Sequence, residues 1–369
     1  MLPDRVASDV TIAYEAGRID SVGEGEAEAS VDLAGGWLLP GFVDSQVNGG
    51  GGILFNDQPS IEAIDAIGRA HARFGTTSFM ITLISADIAT VSRALDAVDD
   101  AIRSGVRGLV GIHIEGPAIN VARRGIHDAA RIQPLEGELL DLLLRPRLGR
   151  VMVTLAPELC APSDIGALRK GGVIVSAGHS EATYEQTRDA LAAGVTGFTH
   201  LFNAMSPFKH RAPGMVGAAL EDRGSYCGMI VDGFHLHPAA VRIALLAKPL
   251  DRLMLVTDAM PVVGSAIQGF PLGDAWISLT NGRCVDADGT LAGSALDMAG
   301  AVRNLVAQTG IDVPSAARMA STVPAEFLGL SVDLGTIAPG KRADWVWLDK
   351  DLHPRATWIA GAPCEGTER

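Results

Sequence analysis

Closely spaced cysteines are missing from this chain of 369 residues. Cys160, Cys227, Cys284 and Cys364 stand far apart with no Cys-x-x-Cys pair, which excludes a zinc knuckle and a thioredoxin-type motif and leaves reduced thiols as the expectation. Positive charge is also scarce. Lys and Arg number 30 against 43 Asp and Glu, a formal charge of −13. That balance argues against a nucleic-acid or anionic-membrane surface, because such partners need a broad positive field. Nowhere do ~18 consecutive apolar residues occur that could span a bilayer. The opening "MLPDRVASDV" lacks the basic flank and apolar stretch of a secretory leader. A cytoplasmic protein with neither nucleic-acid nor membrane partners is expected. Internal repeats and low-complexity tracts are absent too; "GEGEAEAS", Gly23 to Ser30, comes nearest and is short enough for a turn between strands.

What is present is the texture of a loop-rich globular enzyme, with 47% hydrophobic residues, 20% charged residues and 43 glycines. The length suits one large α/β barrel of ~250 residues with an appendage. The first forty residues alternate in the β manner, as in "VTIAYEAGRIDSVG" and "SVDLAGGWLLPG". From Phe42 onward, eight short apolar runs are separated by helical patterning: "GFVDSQVN", "TSFMITLIS", "LVGIHIEG", "VMVTLAPE", "GVIVSAGHS", "VTGFTHLFN", "CGMIVDGFH" and "RLMLVTDA". Helices are expected at Ile61 to Arg73, Thr90 to Arg103, Thr183 to Ala193 and Pro238 to Leu246. Strand–helix alternation implies parallel strands, and eight of them suggest a closed (β/α)8 TIM-type barrel over residues 42–330. A β-like insertion is expected at about 262–292. The ends, 1–41 and 331–369, are expected to form a small β-sandwich domain, since "GTIAPGKRADWVWLD" returns to short strands.

In such a barrel the carboxyl ends of the strands carry the chemistry. Glu115 closes "GIHIEGP", His179 closes "VSAGHS", His200 closes "GFTHLFN", His235 lies in "VDGFH", and Asp258 ends "LMLVTDA". A lone His at a strand end is ordinarily a hydrogen-bonded structural residue. One carboxylate and two imidazoles together, however, make the three-ligand set with an open fourth position that holds a catalytic metal. Glu115, His179 and His200 are that set. Asp258 is either a turn residue or the group that moves a proton from water to a leaving amine. Asp44, Gln46 and Asn48, at alternate positions leaving the first strand, share one face of an extended segment. Neutral amides are poor ligands for a cation such as zinc. "VSAGHS" is not a Gly-x-Ser-x-Gly elbow, and nothing else suggests a serine triad.

The motifs "PGFVDSQVNGGGG", "HIEGP", "GHSEATY", "THLFNAMSP", "VDGFHLHP", "VTDAM" and "LAGSALDM" occur in one order through almost the whole chain. In that set the sequence closely resembles the N-acetylglucosamine-6-phosphate deacetylase family of the amidohydrolase superfamily. The resemblance implies metal-dependent deacetylation of an amino-sugar 6-phosphate, releasing acetate and the free amine, in amino-sugar catabolism or recycling. Some members keep His-x-His after the first strand and can hold two metals. Gln46 and Asn48 match a branch with Gln-x-Asn that uses one. The expected cofactor is therefore one divalent metal per subunit, Zn2+ first and Fe2+, Mn2+ or Co2+ as alternatives. Gln46 and Asn48 themselves either anchor the loop or touch substrate.

A sugar phosphate must be held against a charge of −13, and "NAMSPFKHRAPG" offers concentrated basic residues. By the resemblance, Arg211 binds the phosphate, aided by Asn203 and the backbone of Ala204; the plainer alternative is a solvated basic loop. Ile126, His127 and His235 match family positions that contact the substrate, and Leu296 and Met298 either contact the acetyl group or ring or belong to the core. His71, His113, His237 and His353 are read as structural. The resemblance also suggests a homodimer in which Arg211 reaches the neighbouring site. Two rival readings differ from this one. The first is another enzyme of the same fold, acting on a cyclic amide or the galactosamine isomer. The second is a non-catalytic assembly protein, for which four such polar residues at one barrel end have no physical need.

Overall fold

Eight parallel strands stand side by side in chain order in the computed structural model, which describes residues 1–23 and 31–365. They are β1 (Phe42–Val47), β2 (Thr76–Ile84), β3 (Leu109–Glu115), β4 (Arg150–Leu155), β5 (Ile174–Ala177), β6 (Gly197–Phe198), β7 (Tyr226–Met229) and β8 (Leu253–Leu255). The expected turn at Gly23 to Ser30 falls largely outside the described residues. A helix follows each of the first seven strands, among them Ile61–Ala72, Ile88–Arg103, Tyr184–Ala193 and Pro238–Ala247. All nine residues of β2 are buried, as expected for a parallel strand covered on both faces. Phe42, Phe55, Phe79 and Phe198 are the bulkiest fully buried side chains, at most 2% exposed. Truncating a Phe of this kind to Ala costs about 3–5 kcal/mol.

Local chemistry fixes where the helices begin. Thr183 and Gln186 form a reciprocal capping box ahead of Tyr184–Ala193, and the side chains of Ser60 and Asp87 cap the first two helices.

The barrel closes through the segment that leaves β1. Asp258 N–H donates to Gln46 O at 3.0 Å, and Asn48 N–H donates to Ala259 O at 3.0 Å. Beneath them the Thr257 hydroxyl donates to Asp44 Oδ2 at 2.5 Å. Asp44 is buried without a cation partner among the described residues, and desolvation pushes its carboxyl up to about 7, against the Thr257 and Gln46 hydrogen bonds.

A second polar layer crosses the barrel interior. His113 lies between Thr82 Oγ1 (3.3 Å from Nδ1) and Thr154 Oγ1 (2.7 Å from Nε2). From Thr154 the chain runs on to Thr199 at 2.6 Å and to Ser176 at 2.7 Å. Burial lowers the His113 pKa to about 4, so this ring is neutral and satisfied on both nitrogens, a structural histidine.

After β8 the chain makes a four-stranded antiparallel sheet, Gly269–Leu272, Ala275–Thr280, Arg283–Val285 and Leu291–Ser294. Its own core, with Phe270, Ile277 and Cys284, also takes in Leu54 from the glycine-rich loop after β1. The small β domain combines both ends of the chain. Trp37–Pro40 pairs antiparallel with Trp345–Leu348, which pairs with Pro354–Ile359, while the hairpin Thr11–Glu15/Arg18–Gly23 bonds to the 340–341 segment through Ile19.

Candidate metal centre

The three residues expected as ligands come from the ends of β3, β5 and β6, and the barrel brings their side chains together. Glu115 Oε1 lies 3.1 Å from His179 Nε2 and 3.0 Å from His200 Nε2, and the two imidazole nitrogens are 3.0 Å apart. All three residues are buried, and they form the one group of three or more His, Cys, Asp or Glu with converging ligand atoms among the described residues.

Proton bookkeeping tests whether a cation fits. His179 Nδ1 lies 2.8 Å from the carbonyl of Arg123. A carbonyl can only accept, so Nδ1 carries the proton and, in the neutral ring, Nε2 is a bare lone pair. That lone pair faces a carboxylate oxygen and a second imidazole nitrogen. When His200 holds its proton on Nδ1 as His179 does, three electron-rich atoms stand within 3.1 Å of one another and repel unless a positive species lies among them, and a nitrogen, nitrogen, oxygen set suits a borderline divalent ion. The fit is good. Titration directions express the same demand: burial opposes charge on both Glu115 and His200, yet their mutual hydrogen bonding and attraction prevail. The carboxyl of Glu115 is held well below its ordinary value and the ring of His200 is raised.

Asp258, past the end of β8, sits on the opposite side of the mouth. Asn48 Nδ2 donates to its Oδ1 at 2.6 Å and Gln46 Nε2 at 3.1 Å. The same Gln46 Nε2 lies 3.2 Å from each oxygen of Glu115. Gln46 is thus a bridge between two carboxylates, and Asn48 a second donor to one of them. Burial first, then the Glu115 charge, pushes the Asp258 carboxyl up to about 6. A group poised there can both take and return a proton near neutrality.

The backbone is strained at these positions. His179, His200 and Asp258 have φ of 49°, 36° and 52°, in the left-handed region that costs non-glycine residues about 1–3 kcal/mol each when the surroundings do not favour it. Next to Glu115, Gly116 adopts φ +83°, and a Cβ there would lie 2.4 Å from Ser85 Oγ. That space lets Ser85 reach His127. Ser85 N–H and Oγ lie 3.3 and 2.7 Å from His127 Nδ1. Since a backbone N–H can only donate, Nδ1 accepts and the neutral ring carries its proton on Nε2. Burial and the His179 charge lower the His127 pKa to about 3.

The other expected contact residues are placed less tightly. His235 Nδ1 is bound by Asp232 Oδ2 at 2.7 Å. Asn203 Nδ2 turns back to its own loop, 3.4 Å from His200 O and 3.3 Å from Leu201 O. The Ala204 carbonyl accepts from Ser180 N–H at 3.0 Å. Arg211 is exposed, on a turn where Lys209 and Ala212 exchange backbone hydrogen bonds at 3.1 Å. Ile126 packs against the core of the β insertion, and Leu296 and Met298 are buried in the main core.

Sequence reading passed over the partners that hold these residues, Asp232, Ser85 and Glu158. Glu158 had a signal available, because it follows the end of a barrel strand in "VMVTLAPE". Ser85 and the carbonyl of Arg123 carry none.

Residues 37–367 match the amidohydrolase family. The chain is 46% identical over 329 residues to an N-acetylgalactosamine-6-phosphate deacetylase of Shewanella sp. (strain ANA-3), covering 89% of this chain and 83% of that protein. It is 38% identical to the N-acetylglucosamine-6-phosphate deacetylase of Bos taurus, over 91% of this chain and 85% of that protein. Among solved structures, N-acetylglucosamine-6-phosphate deacetylase from Pasteurella multocida superposes with a TM-score of 0.94 at 31% identity, covering 98% of this chain and 96% of that one.

Proposed function

The chain belongs to the amidohydrolase family, and from that premise we propose that it hydrolyses the N-acetyl group of an N-acetylhexosamine 6-phosphate to the amine and acetate. The observation that carries the reading is the convergence of Glu115 Oε1, His179 Nε2 and His200 Nε2 opposite a carboxylate held by two amides. Glu115, His179 and His200 would hold one divalent ion. Zn2+ suits the donor set best, with Fe2+, Mn2+ and Co2+ also compatible. When bound, the ion would supply Lewis acidity, polarising the amide carbonyl and making water more acidic.

The chain's own residues do the rest. Asp258, oriented by Asn48 and Gln46, accepts a proton from the attacking water and delivers it to the departing nitrogen. The Nε2–H of His127, fixed by Ser85, is a donor available to the substrate's oxygens, while His235 gives its Nδ1–H to Asp232 and, in the neutral ring, offers Nε2 as an acceptor for a substrate hydroxyl. Arg211, exposed and without an ion-pair partner among the described residues, takes the phosphate, with Asn203 and the backbone of Ala204 beside it; Leu296 and Met298, buried in the main core, either back the acetyl group or ring or serve packing alone. We further propose a cytoplasmic homodimer with Arg211 serving the neighbouring site, and a domain division at 1–41 with 331–369 against 42–330. No helix among the described residues is long and apolar enough to cross a membrane.

The galactosamine epimer is a second reading, favoured by the 46% identity to the Shewanella protein. Acetate release from both epimers, each with and without a chelator, tests the proposal. Release from neither would overturn it, and a preference of tenfold or more assigns the sugar. Arg211→Ala should raise KM for the phosphorylated sugar by roughly 10- to 100-fold, the loss of a charge-assisted pair, while KM for unphosphorylated sugar stays put. Equal effects on both would remove Arg211 from the phosphate site.

A further inference from the structure

One carboxylate outside the centre ties together the loops that carry it. Glu158, just after β4 in the short helix Pro157–Leu159, is half-buried and does not touch the ligand set. Its Oε1 accepts from Asn120 Nδ2 at 2.9 Å and from Glu181 N–H at 2.7 Å, and its Oε2 accepts from the Ser180 hydroxyl at 2.6 Å. Asn120 belongs to the loop after β3. Ser180 and Glu181 follow His179 directly.

Each of these partners in turn grips His179 or its surroundings. Asn120 N–H donates to the His179 carbonyl at 2.9 Å. Asn120 Oδ1 caps the turn Val121–Arg123 through Ala122 N–H at 2.9 Å, and that turn delivers the Arg123 carbonyl to His179 Nδ1 at 2.8 Å. The side chain of Arg123 is latched to Glu181. Ser180 continues the set toward His200: it exchanges backbone bonds with Ala204 and Ser206 at 3.0 Å, in the loop after β6. A closed circuit therefore runs from Glu158 through Asn120, the 121–123 turn, His179 and Ser180 back to Glu158. Inside it His179 holds its left-handed φ of 49° and the tautomer that leaves Nε2 bare.

We propose that Glu158 is a positioning residue for the metal centre, setting the orientation and tautomer of His179 by clamping the loops after β3 and β5 together. The proposal rests on the metal reading above. The carboxylate is needed as an acceptor cluster rather than as a charge. A glutamine can accept from Asn120 and Glu181 through its oxygen and donate to Ser180 Oγ through its nitrogen, whereas alanine satisfies none of the three.

The test is metal affinity, measured on the full-length protein by competition for Zn2+ and Co2+ with a chelator of known affinity, with melting temperature followed in parallel. Glu158→Ala should weaken binding roughly 10- to 100-fold, the range for removing an outer-shell partner, and Glu158→Gln should restore it to within about threefold of wild type. Asn120→Ala should lower affinity in the same direction, and it serves if Glu158→Ala does not fold. Lys248→Met, which removes a buried donor to the carbonyls of Ala219 and Asp222, should lower the melting temperature with metal affinity unchanged. Affinity within threefold of wild type in both Glu158→Ala and Asn120→Ala overturns the inference while leaving the metal reading standing. Wild-type protein that binds neither ion overturns both.

Discussion

The two sides of the barrel mouth solve the burial of polar groups in opposite ways. On one side, at the ends of β3, β5 and β6, Glu115, His179 and His200 turn one ligand atom each toward a common point, an arrangement that could hold a metal ion. On the other, beside β1 and β8, Gln46 and Asn48 turn N–H groups toward Asp258 and Glu115, so negative charge is already met by neutral donors. The amides at the end of the first strand act as hydrogen-bond donors to carboxylates. They meet Asp258 and Glu115 with N–H groups, which adds no charge. The first side gathers the atoms that could hold a cation; on the second, burial and the Glu115 charge push the Asp258 carboxyl up while the Asn48 hydrogen bond opposes the rise.

The largest expected effect comes from breaking the cation side. Glu115→Gln should abolish metal binding and reduce acetate release by more than about 10³-fold, beyond the cost of losing one preorganised electrostatic group. Metal content of the dialysed variant and its rate of acetate release check this together. One retained equivalent with turnover within tenfold of wild type would mean that Glu115 is not a ligand.

Breaking the other side should leave the ion in place. Asp258→Asn keeps shape and removes the proton acceptor, so kcat should fall at least 100-fold, the order of general acid–base catalysis, with metal content and substrate binding retained. Turnover within tenfold of wild type excludes Asp258 as the proton carrier.

Converting one side into the other changes stoichiometry rather than rate. Protein purified without added metal should carry close to one equivalent. The double change Gln46→His with Asn48→His places two imidazoles against Asp258 and should admit a second ion. If metal analysis still returns one, the glycine-rich loop geometry decides the count, and the comparison between amides and imidazoles loses its force.

The smallest effect concerns the support of the amide side. His71 Nε2 lies 2.9 Å from Gly49 O, while its Nδ1 is buried without a partner among the described residues, and burial lowers the ring's pKa to about 4. The folded ring stays neutral where the unfolded ring, near 6.5, takes a proton. Its contribution is whole above pH 6.5 and is lost as pH falls toward 4, at roughly 1 kcal/mol per unit. His71→Gln, able to donate to Gly49 O but unable to titrate, should flatten that part of the stability profile in urea unfolding between pH 7 and 5. An unchanged slope would assign the acid sensitivity to other groups, His113 and His127 foremost.

Much of this was legible in the sequence because the signals are local. Eight apolar runs separated by helical patterning specify a parallel barrel, since period and length distinguish strand from helix residue by residue. The rule that chemistry sits at strand ends then points to Glu115, His179, His200, His235 and Asp258. The alternation of Asp44, Gln46 and Asn48 places them on one face, yet it could not say whom they face. That answer depends on β1 lying beside β8, 210 residues apart at the Asn48–Asp258 bond. Only closure of the barrel makes Gln46 a bridge between carboxylates and Asp44 a partner of Thr257. The tautomer of His179 lies still further from any pattern in the chain, because a backbone carbonyl sets it and every residue has one. Composition and periodicity determine which residues point into the mouth; which proton each holds, and which neighbour holds it still, was decided by long-range contacts that no local stretch encodes.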